Sequence, residues 1–395
     1  MITLKKKFSD ITNFVFNKKV IVRVDFNLPY YQGKVSDFTR VEKILPTIKF
    51  LLKNQAKVIL ISHFGRPKGE KNNEFSLNII KSDIENILKK KIYFCDDNLK
   101  TLKRDKIDKI FKNNEIILME NIRFYPEEIK GDEDFSKKIA SLGDIYINEC
   151  FSVSHRSHSS IVGISKYLPS FPGMLLENEI SNLKNLITTH NSSTIAVFGG
   201  SKISTKLKIV EFYLNKFNKI IFGGAMANTF LKAMEIEIGC SLYEKSMTKI
   251  AKEFLERFVN KILLPDDVII ENKKTKKIEV KPIDTINKED SIFDIGPKTR
   301  LKFYNEIVKS DKLLWNGPLG YYEKKPFDEG TAFVVKAVKN NKNKNFFSVA
   351  GGGDTISLLK QNDVFQYFSF ISTGGGAFLE FIKGDGLPGL DSLNE

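Results

Sequence analysis

The chain has 395 residues, 42% of them hydrophobic, and a formal net charge of +14, which provides sizeable apolar cores for two or three domains. No apolar run reaches bilayer-spanning length, and the opening MITLKKKFSD lacks the apolar core of a secretory signal, so neither a membrane span nor an export leader is expected. Cys95, Cys150 and Cys240 are far apart with no CxxC spacing, which argues against a disulfide scaffold or zinc site and suits a reducing cytoplasm.

Short apolar runs alternate with helical patterns along the chain. In the first half, strands are expected at residues 19–27 (KVIVRVDFN), 57–64, 115–124 and 144–151, with a helix at 40–54. Residues 172–190 open on Pro-Gly and place Leu175, Leu176, Ile180, Leu183 and Leu186 on one stripe, which predicts an interdomain helix. Further strands are expected at 194–200, 219–224, 291–296, 312–317, 346–352 and 368–376, with a helix at 206–216 and a small β-hairpin insertion at 268–281. The alternation reads as βαβ units on two parallel sheets, one before about residue 170 and one after about 190.

The positive charge admits a nucleic-acid partner or an anionic substrate. The lysines are scattered among asparagine and isoleucine, as an A+T-rich genome would produce, and no recognition-helix or RNA-binding signature is present, so the anionic ligand is favoured. Arginine is scarce, eight against 54 lysines, and five of the eight (Arg23, Arg40, Arg66, Arg123 and Arg156) lie in motifs within the first 156 residues. A guanidinium grips phosphate or carboxylate with two bonds at once, which a lysine cannot do.

RVDFN puts Asp25 and Asn27 on one face of a strand end, suited to a hydroxylated ligand. SHFGRP delivers His63 and Arg66, ENIRF Arg123, and HRSHSS His155, Arg156 and His158; each ends an expected strand, and together they would converge as a basic pocket for a small dianion. The second half carries glycine clusters at strand ends, Gly199-Gly200, Gly223-Gly224, Gly351 to Gly353 and Gly374 to Gly376, which suit a polyphosphate. In GGGDT, Asp354 follows free helix-start amides and is placed to hold Mg2+. GGSKISTK offers Lys202 and Lys206 four residues apart. The P-loop string GxxxxGK[ST] is absent, and GDGLPG matches GxGxxG only by coincidence, having no following helix and strand.

Taken together, RVDFN, TRVEKILPTI, SHFGRPKG, ENIRF, HRSHSS, GGSKIST, GGAMANTFLKA, LLPDDV, DIGPKT, WNGPLGYYE, GGGDT, STGGGAFLE and LPG closely resemble the motifs of the phosphoglycerate kinase family, in the family's order and over nearly the whole chain. The resemblance implies an α/β fold of two Rossmann-like domains, each a parallel sheet flanked by helices, joined by an interdomain helix with a cleft between them. Its implied divisions are a phosphoglycerate-binding domain at 1–171, the helix at 172–190, a nucleotide-binding domain at 191–377, and a tail at 378–395 that returns to the first domain. The implied reaction moves the acyl phosphate of 1,3-bisphosphoglycerate to Mg-ADP, giving 3-phosphoglycerate and Mg-ATP, in a cytoplasmic, monomeric glycolytic enzyme without nucleic-acid or membrane partners.

Carried over by motif, Asp25, Asn27, Arg40, His63, Arg66, Arg123 and Arg156 would bind the glycerate substrate. Gly199, Gly200, Lys202, Lys206, Gly223, Gly224, Asn316, Pro318, Glu323, Gly351, Gly352, Gly353, Asp354 and Thr355 would bind nucleotide, with Asp354 as the Mg2+ ligand. Arg40, Lys202, Gly352 and Gly375 would serve the transfer itself. The chain departs from the family's usual pattern at Glu149, Cys150 and Ser152, where Asp, Ala and Gly are common, and at Ala225, where a third glycine is common.

Overall fold

The computed structural model describes residues 4–188, 192–201, 204, 206–384 and 386–394, with the side chains of Leu207 and Lys208 outside that description. The chain divides into two compact units, Met1–Ser181 with Gly376–Glu395, and Asn182–Gly375.

In the first unit the strands are β1 (Lys19–Arg23), a small antiparallel pair β2 (Tyr30–Tyr31) and β3 (Lys34–Val35), then β4 (Lys57–Ile61), β5 (Tyr93–Cys95), β6 (Ile116–Met119), β7 (Ile145–Asn148) and β8 (Ser170–Pro172). The main sheet runs β5-β6-β4-β1-β7-β8 and is parallel throughout. Its central strands are near-continuous buried apolar runs, because helices cover both faces. The helices are α1 (Thr39–Lys53), α2 (Asn78–Leu88), α3 (Arg104–Ile110), α4 (Pro126–Lys130) and α5 (Glu133–Ala140), followed by α6 (Met174–Ile187), which begins in this unit and ends in the next. On one face Val20, Val22, Val58 and Leu60 pack with Val41, Ile44, Ile48 and Leu51 of α1 and Ile80 and Ile84 of α2, so the period of two in the strands meets the helical stripe. The chain winds outward from β1 to β5, inserts β6, then crosses to the other side of β1 to lay down β7 and β8. The connections therefore diverge at β1 and β7, where such sheets open a crevice beyond the strand ends.

The second unit contains β9 (Thr194–Phe198), α7 (Leu207–Lys216), β10 (Lys219–Phe222), α8 (Gly224–Ala233), α9 (Thr248–Arg257), β11 (Ile262–Leu263), β12 (Asp267–Asn272), β13 (Ile278–Pro282), β14 (Asp290–Ile295), α10 (Pro297–Val308), β15 (Lys312–Asn316), α11 (Glu329–Asn340), β16 (Phe347–Gly351), α12 (Gly353–Gln361) and β17 (Phe370–Ser372). The parallel sheet runs β11-β10-β9-β15-β16-β17, the doubly wound order with its switch point between β9 and β15. Helices α13 (Gly376–Lys383) and α14 (Pro388–Asp391) belong to the first unit. There Gly389 donates to the Ser154 carbonyl at 2.8 Å, Asn148 Nδ2 donates to the Gly389 carbonyl at 3.3 Å, and the Phe381 ring meets Phe151 edge to face.

Several expectations are corrected. Residues 290–295 form β14 in a separate antiparallel sheet, β13-β12-β14, so the hairpin at β12 and β13 gains a third strand that was expected in the parallel sheet. Pro172 closes edge strand β8, where a missing N–H costs no ladder bond, and helix α6 begins only at Met174. The motif strands end earlier than expected, β1 at Arg23 and β4 at Ile61, because the motif residues after them leave the ladder to form the crevice.

Candidate active site

The first unit gathers its motif residues beyond the carboxyl ends of β1, β4, β6 and β7. Asp25 is 8% exposed. Its Oδ1 accepts the Asn27 amide at 3.0 Å, and both its oxygens lie 3.2 Å from the Arg40 guanidinium. Arg40, in the first turn of α1, also donates to the Asn27 carbonyl at 2.6 Å. Asn27 Oδ1 accepts the Gly65 amide at 2.8 Å, and Arg123 donates to the Gly65 carbonyl at 3.1 Å. One bonded chain thus runs Arg40–Asp25–Asn27–Gly65–Arg123 and fixes three motif loops against each other. Burial by itself would raise the Asp25 pKa, but above all the Arg40 charge, with the hydrogen bonds from Ser152 and the Asn27 amide, outweighs it and brings it to about 2.

His63 is 3% exposed, and its Nδ1 sits 3.2 Å from Arg23. Burial, with the nearby arginines, holds its pKa well below the usual imidazole range, although Asp25 acts in the other direction. The ring is therefore neutral. Because a guanidinium only donates, Nδ1 accepts and Nε2 carries the proton. His63 can offer one N–H to a ligand but is not a proton store.

Arg23, assigned no ligand from sequence, is fully buried. Its Nε donates to Ser160 Oγ at 2.9 Å, Nη1 donates to the Val24 carbonyl, and its charge acts on the buried Glu128. Glu128 in turn accepts from Ser160 at 2.6 Å and lies 3.6 Å from His158. Arg23 is thus a support beneath the site, holding His63. Arg66 and Arg156 are exposed, and their side chains make no hydrogen bond or ion pair among the described residues. Their free forks suit an incoming anion. Half-buried His155, next to Arg156, has its pKa lowered to about 4 by burial and then by the Arg156 and His158 charges.

Two residues of the turn after β7, visible in the sequence only as departures from the family pattern, take structural roles. Glu149 is fully buried, accepts a hydrogen bond from Thr47 of α1, and takes the Leu175 and Leu176 amides at 3.1 and 3.2 Å, capping α6. Burial pushes its pKa up to about 7. Glycine is needed at 173, since a Cβ there would lie 1.9 Å from Glu149 Oε2. Ser152 donates to Asp25 Oδ2 at 2.5 Å.

The second unit holds a cavity of about 460 Å³ at its switch point. Of the expected residues, Gly200, Gly224, Pro318, Glu323 and Asp354 line it, joined by Ala225, Asn228, Cys240, Leu242, Phe293 and Tyr321. Gly199, Lys206, Gly223, Asn316, Gly351 to Gly353 and Thr355 are not on its wall. They build the loops behind it: Lys206 Nζ donates to the Gly199 carbonyl at 3.1 Å, Asn316 Nδ2 to the Gly351 carbonyl at 2.7 Å, and the Gly317 amide to Thr355 Oγ1 at 2.8 Å. A Cβ at Gly199 would fall 1.8 Å from the Pro318 carbonyl, so this loop pair can approach only through glycine. Gly352 begins α12 at φ +100°, and no side chain caps that terminus, leaving its amides for an anion. Lys206 is lowered to about 8 by burial, with Asp354 acting in the other direction. Gly375 ends the unit at φ +53° and is not on the cavity wall. Lys202 lies outside the described residues.

The family model described as phosphoglycerate kinase matches residues 10–385. The chain belongs to the phosphoglycerate kinase family. A phosphoglycerate kinase of Orientia tsutsugamushi (strain Ikeda) is 40% identical over 395 residues, covering 98% of this chain and 97% of its own length. One of Coprothermobacter proteolyticus is 40% identical over 96% of both chains. The solved phosphoglycerate kinase of Coxiella burnetii superposes with a TM-score of 0.85 at 34% identity, and that of Pyrococcus horikoshii OT3 with 0.85 at 29%, each covering 98% of both chains. Against the common phosphoglycerate kinase pattern, the departures Glu149, Cys150 and Ser152 all sit where β7 meets β1, and Ala225 lies on the cavity wall of the second unit.

Proposed function

We propose that the first unit binds 3-phosphoglycerate and 1,3-bisphosphoglycerate, that the second binds ADP and ATP with Mg2+, and that the named side chains carry out the transfer. As a member of this family the chain is a glycolytic phosphotransferase with a carboxyl group as acceptor. The observation that carries the residue-level reading is the bonded chain from Arg40 to Arg123, flanked by the free guanidinium forks of Arg66 and Arg156.

In the direction of ATP use, the nucleophile is a carboxylate already ionised at neutral pH, so no general base is required. This agrees with a neutral, Arg23-bound His63 and a low-pKa Asp25. Arg66, Arg123 and Arg156 grip the phosphate that is not transferred, with the His63 N–H, and Asp25 and Asn27 orient the hydroxyl. Arg40 turns from Asp25 to the substrate carboxylate and steadies the phosphoryl group in flight; Lys202 follows the same charge. Lys206 and the first amides of α12 hold the nucleotide phosphates, while Glu323 and Pro318 meet the ribose. In-line transfer depends on alignment and on neutralising the spreading charge.

Mg2+ favours hard oxygen donors, few carboxylates and substrate phosphates. The exposed Asp354 carboxylate, in the first turn of uncapped α12, fits that preference. Held there by Asp354, the ion would supply positive charge to offset that of the nucleotide phosphates. Asp354→Ala is expected to raise the Mg2+ concentration needed for half-maximal rate; an unchanged metal titration would remove Asp354 from the metal site.

Among the described residues no helix is long and apolar enough to cross a membrane. A monomeric cytoplasmic enzyme without nucleic-acid partners is the reading taken for this chain. A coupled assay for ATP formation from 1,3-bisphosphoglycerate and Mg-ADP tests the whole: turnover is expected, and salt-sensitive RNA or DNA retention without turnover would replace the reading.

A further inference from the structure

We propose that Ser152 is a positioning residue that fixes the direction of the Asp25 carboxylate toward the substrate hydroxyl, a role that rests on the assignment of Asp25 to that hydroxyl. Ser152 lies in the 3-10 turn Phe151–Val153 after β7, next to β1 across the switch of the first sheet. Its Oγ donates to Asp25 Oδ2 at 2.5 Å and lies 3.5 Å from Cys150 Sγ. The Asn27 amide holds the other oxygen, Oδ1, at 3.0 Å. The third partner, Arg40, is 3.2 Å from both oxygens and is the one assigned to leave for the substrate.

Once Arg40 turns away, Asp25 keeps one donor on each oxygen. Two fixed donors define the plane of a carboxylate, whereas one leaves it free about a broad sp³–sp² torsion. With Ser152 present, the substrate hydroxyl meets an acceptor of set direction; with glycine, common at this position in the family, that hold is absent. Ser152 touches no substrate atom in this scheme and acts only through Asp25.

The test is calorimetric binding of two ligands, 3-phosphoglycerate and the same phosphorylated three-carbon acid lacking its hydroxyl, to the full chain and to Ser152→Ala. The variant is expected to bind 3-phosphoglycerate about tenfold more weakly, the range of a hydrogen bond to a charged group, and the hydroxyl-free acid within about twofold of the parent. In turnover the loss is expected in KM for 3-phosphoglycerate more than in kcat. Equal weakening of both ligands would reduce Ser152 to a structural part, and no change or tighter binding of 3-phosphoglycerate would also overturn the proposal, the latter by showing that Ser152 competes for the oxygen. Asp25→Asn separates the underlying assignment. If it leaves the preference for the hydroxylated acid intact, Asp25 does not take the hydroxyl; if it abolishes the preference while Ser152→Ala does not alter it, only the Ser152 role fails.

Discussion

Arg40→Ala is expected to lower kcat at least about 100-fold while leaving the fold intact, since a fixed donor aimed at developing charge contributes roughly 3–4 kcal/mol. The side chain is 31% exposed, and its protein partners are Asp25 and the Asn27 carbonyl, so removing it opens no cavity in the apolar core. Asp25 retains Ser152 and the Asn27 amide. It loses the neighbouring positive charge that does most to hold its pKa down, so that pKa climbs from about 2, yet the carboxylate stays ionised at neutral pH. The rate loss is therefore not a protonation effect and should be flat with pH between about 6 and 8. Arg40→Lys should recover part of the rate, because it restores charge but not the two-bond fork. Steady-state kinetics in both directions, with a thermal melt as control, measure this. A kcat within about threefold of the parent would remove Arg40 from the transfer step.

Arg23→Ala should destabilise the first unit by about 3–5 kcal/mol, the cost of breaking a buried charged network from one side. Arg23 and Glu128 are both fully buried. Glu128 is kept ionised against burial by His158, Arg23 and Ser160. Without Arg23 it retains the Ser160 hydroxyl and amide, at 2.6 and 2.8 Å, and a histidine 3.6 Å away, but no guanidinium. His63 also loses the donor that fixes its Nδ1, so any variant that folds should bind 3-phosphoglycerate more weakly. Urea unfolding, followed by a probe in the first unit, reads the stability; a loss below about 1 kcal/mol would mean that Glu128 is adequately paired elsewhere. Glu128→Gln in the same background should return part of the loss by removing the stranded charge.

The sequence made the long buried strands and the motif turns legible because both are local: an apolar run and the glycine or polar residue that stops it. It did not reveal β5, β8 or β11, which are two or three residues long and carry no measurable period. Nor did it separate the exposed arginines proposed to meet substrate from a buried, supporting one. Arg23 reads like Arg66 in one dimension, and its different fate depends on Glu128 and Ser160, more than a hundred residues away. Ser152 was visible as a departure from a family pattern, but its bond to Asp25 spans 127 residues. The cavity wall of the second unit includes Phe293 from an antiparallel strand that had been counted with the parallel sheet. Nor did the sequence show that Gly199 and Gly223, expected to face nucleotide, leave no room for a Cβ against Pro318 and Leu319.

The return of residues 376–394 to the first unit has a consequence during synthesis. Leu387, Leu390 and Leu393 are buried there, and Gly389 meets the backbone of Ser154. The segment that caps the turn after β7 is made roughly two hundred residues later, after the entire second unit. A first unit emerging from the ribosome therefore lacks this packing, and the turn after β7 stays uncovered on that side. That lobe reaches its final packing only when translation has passed residue 394.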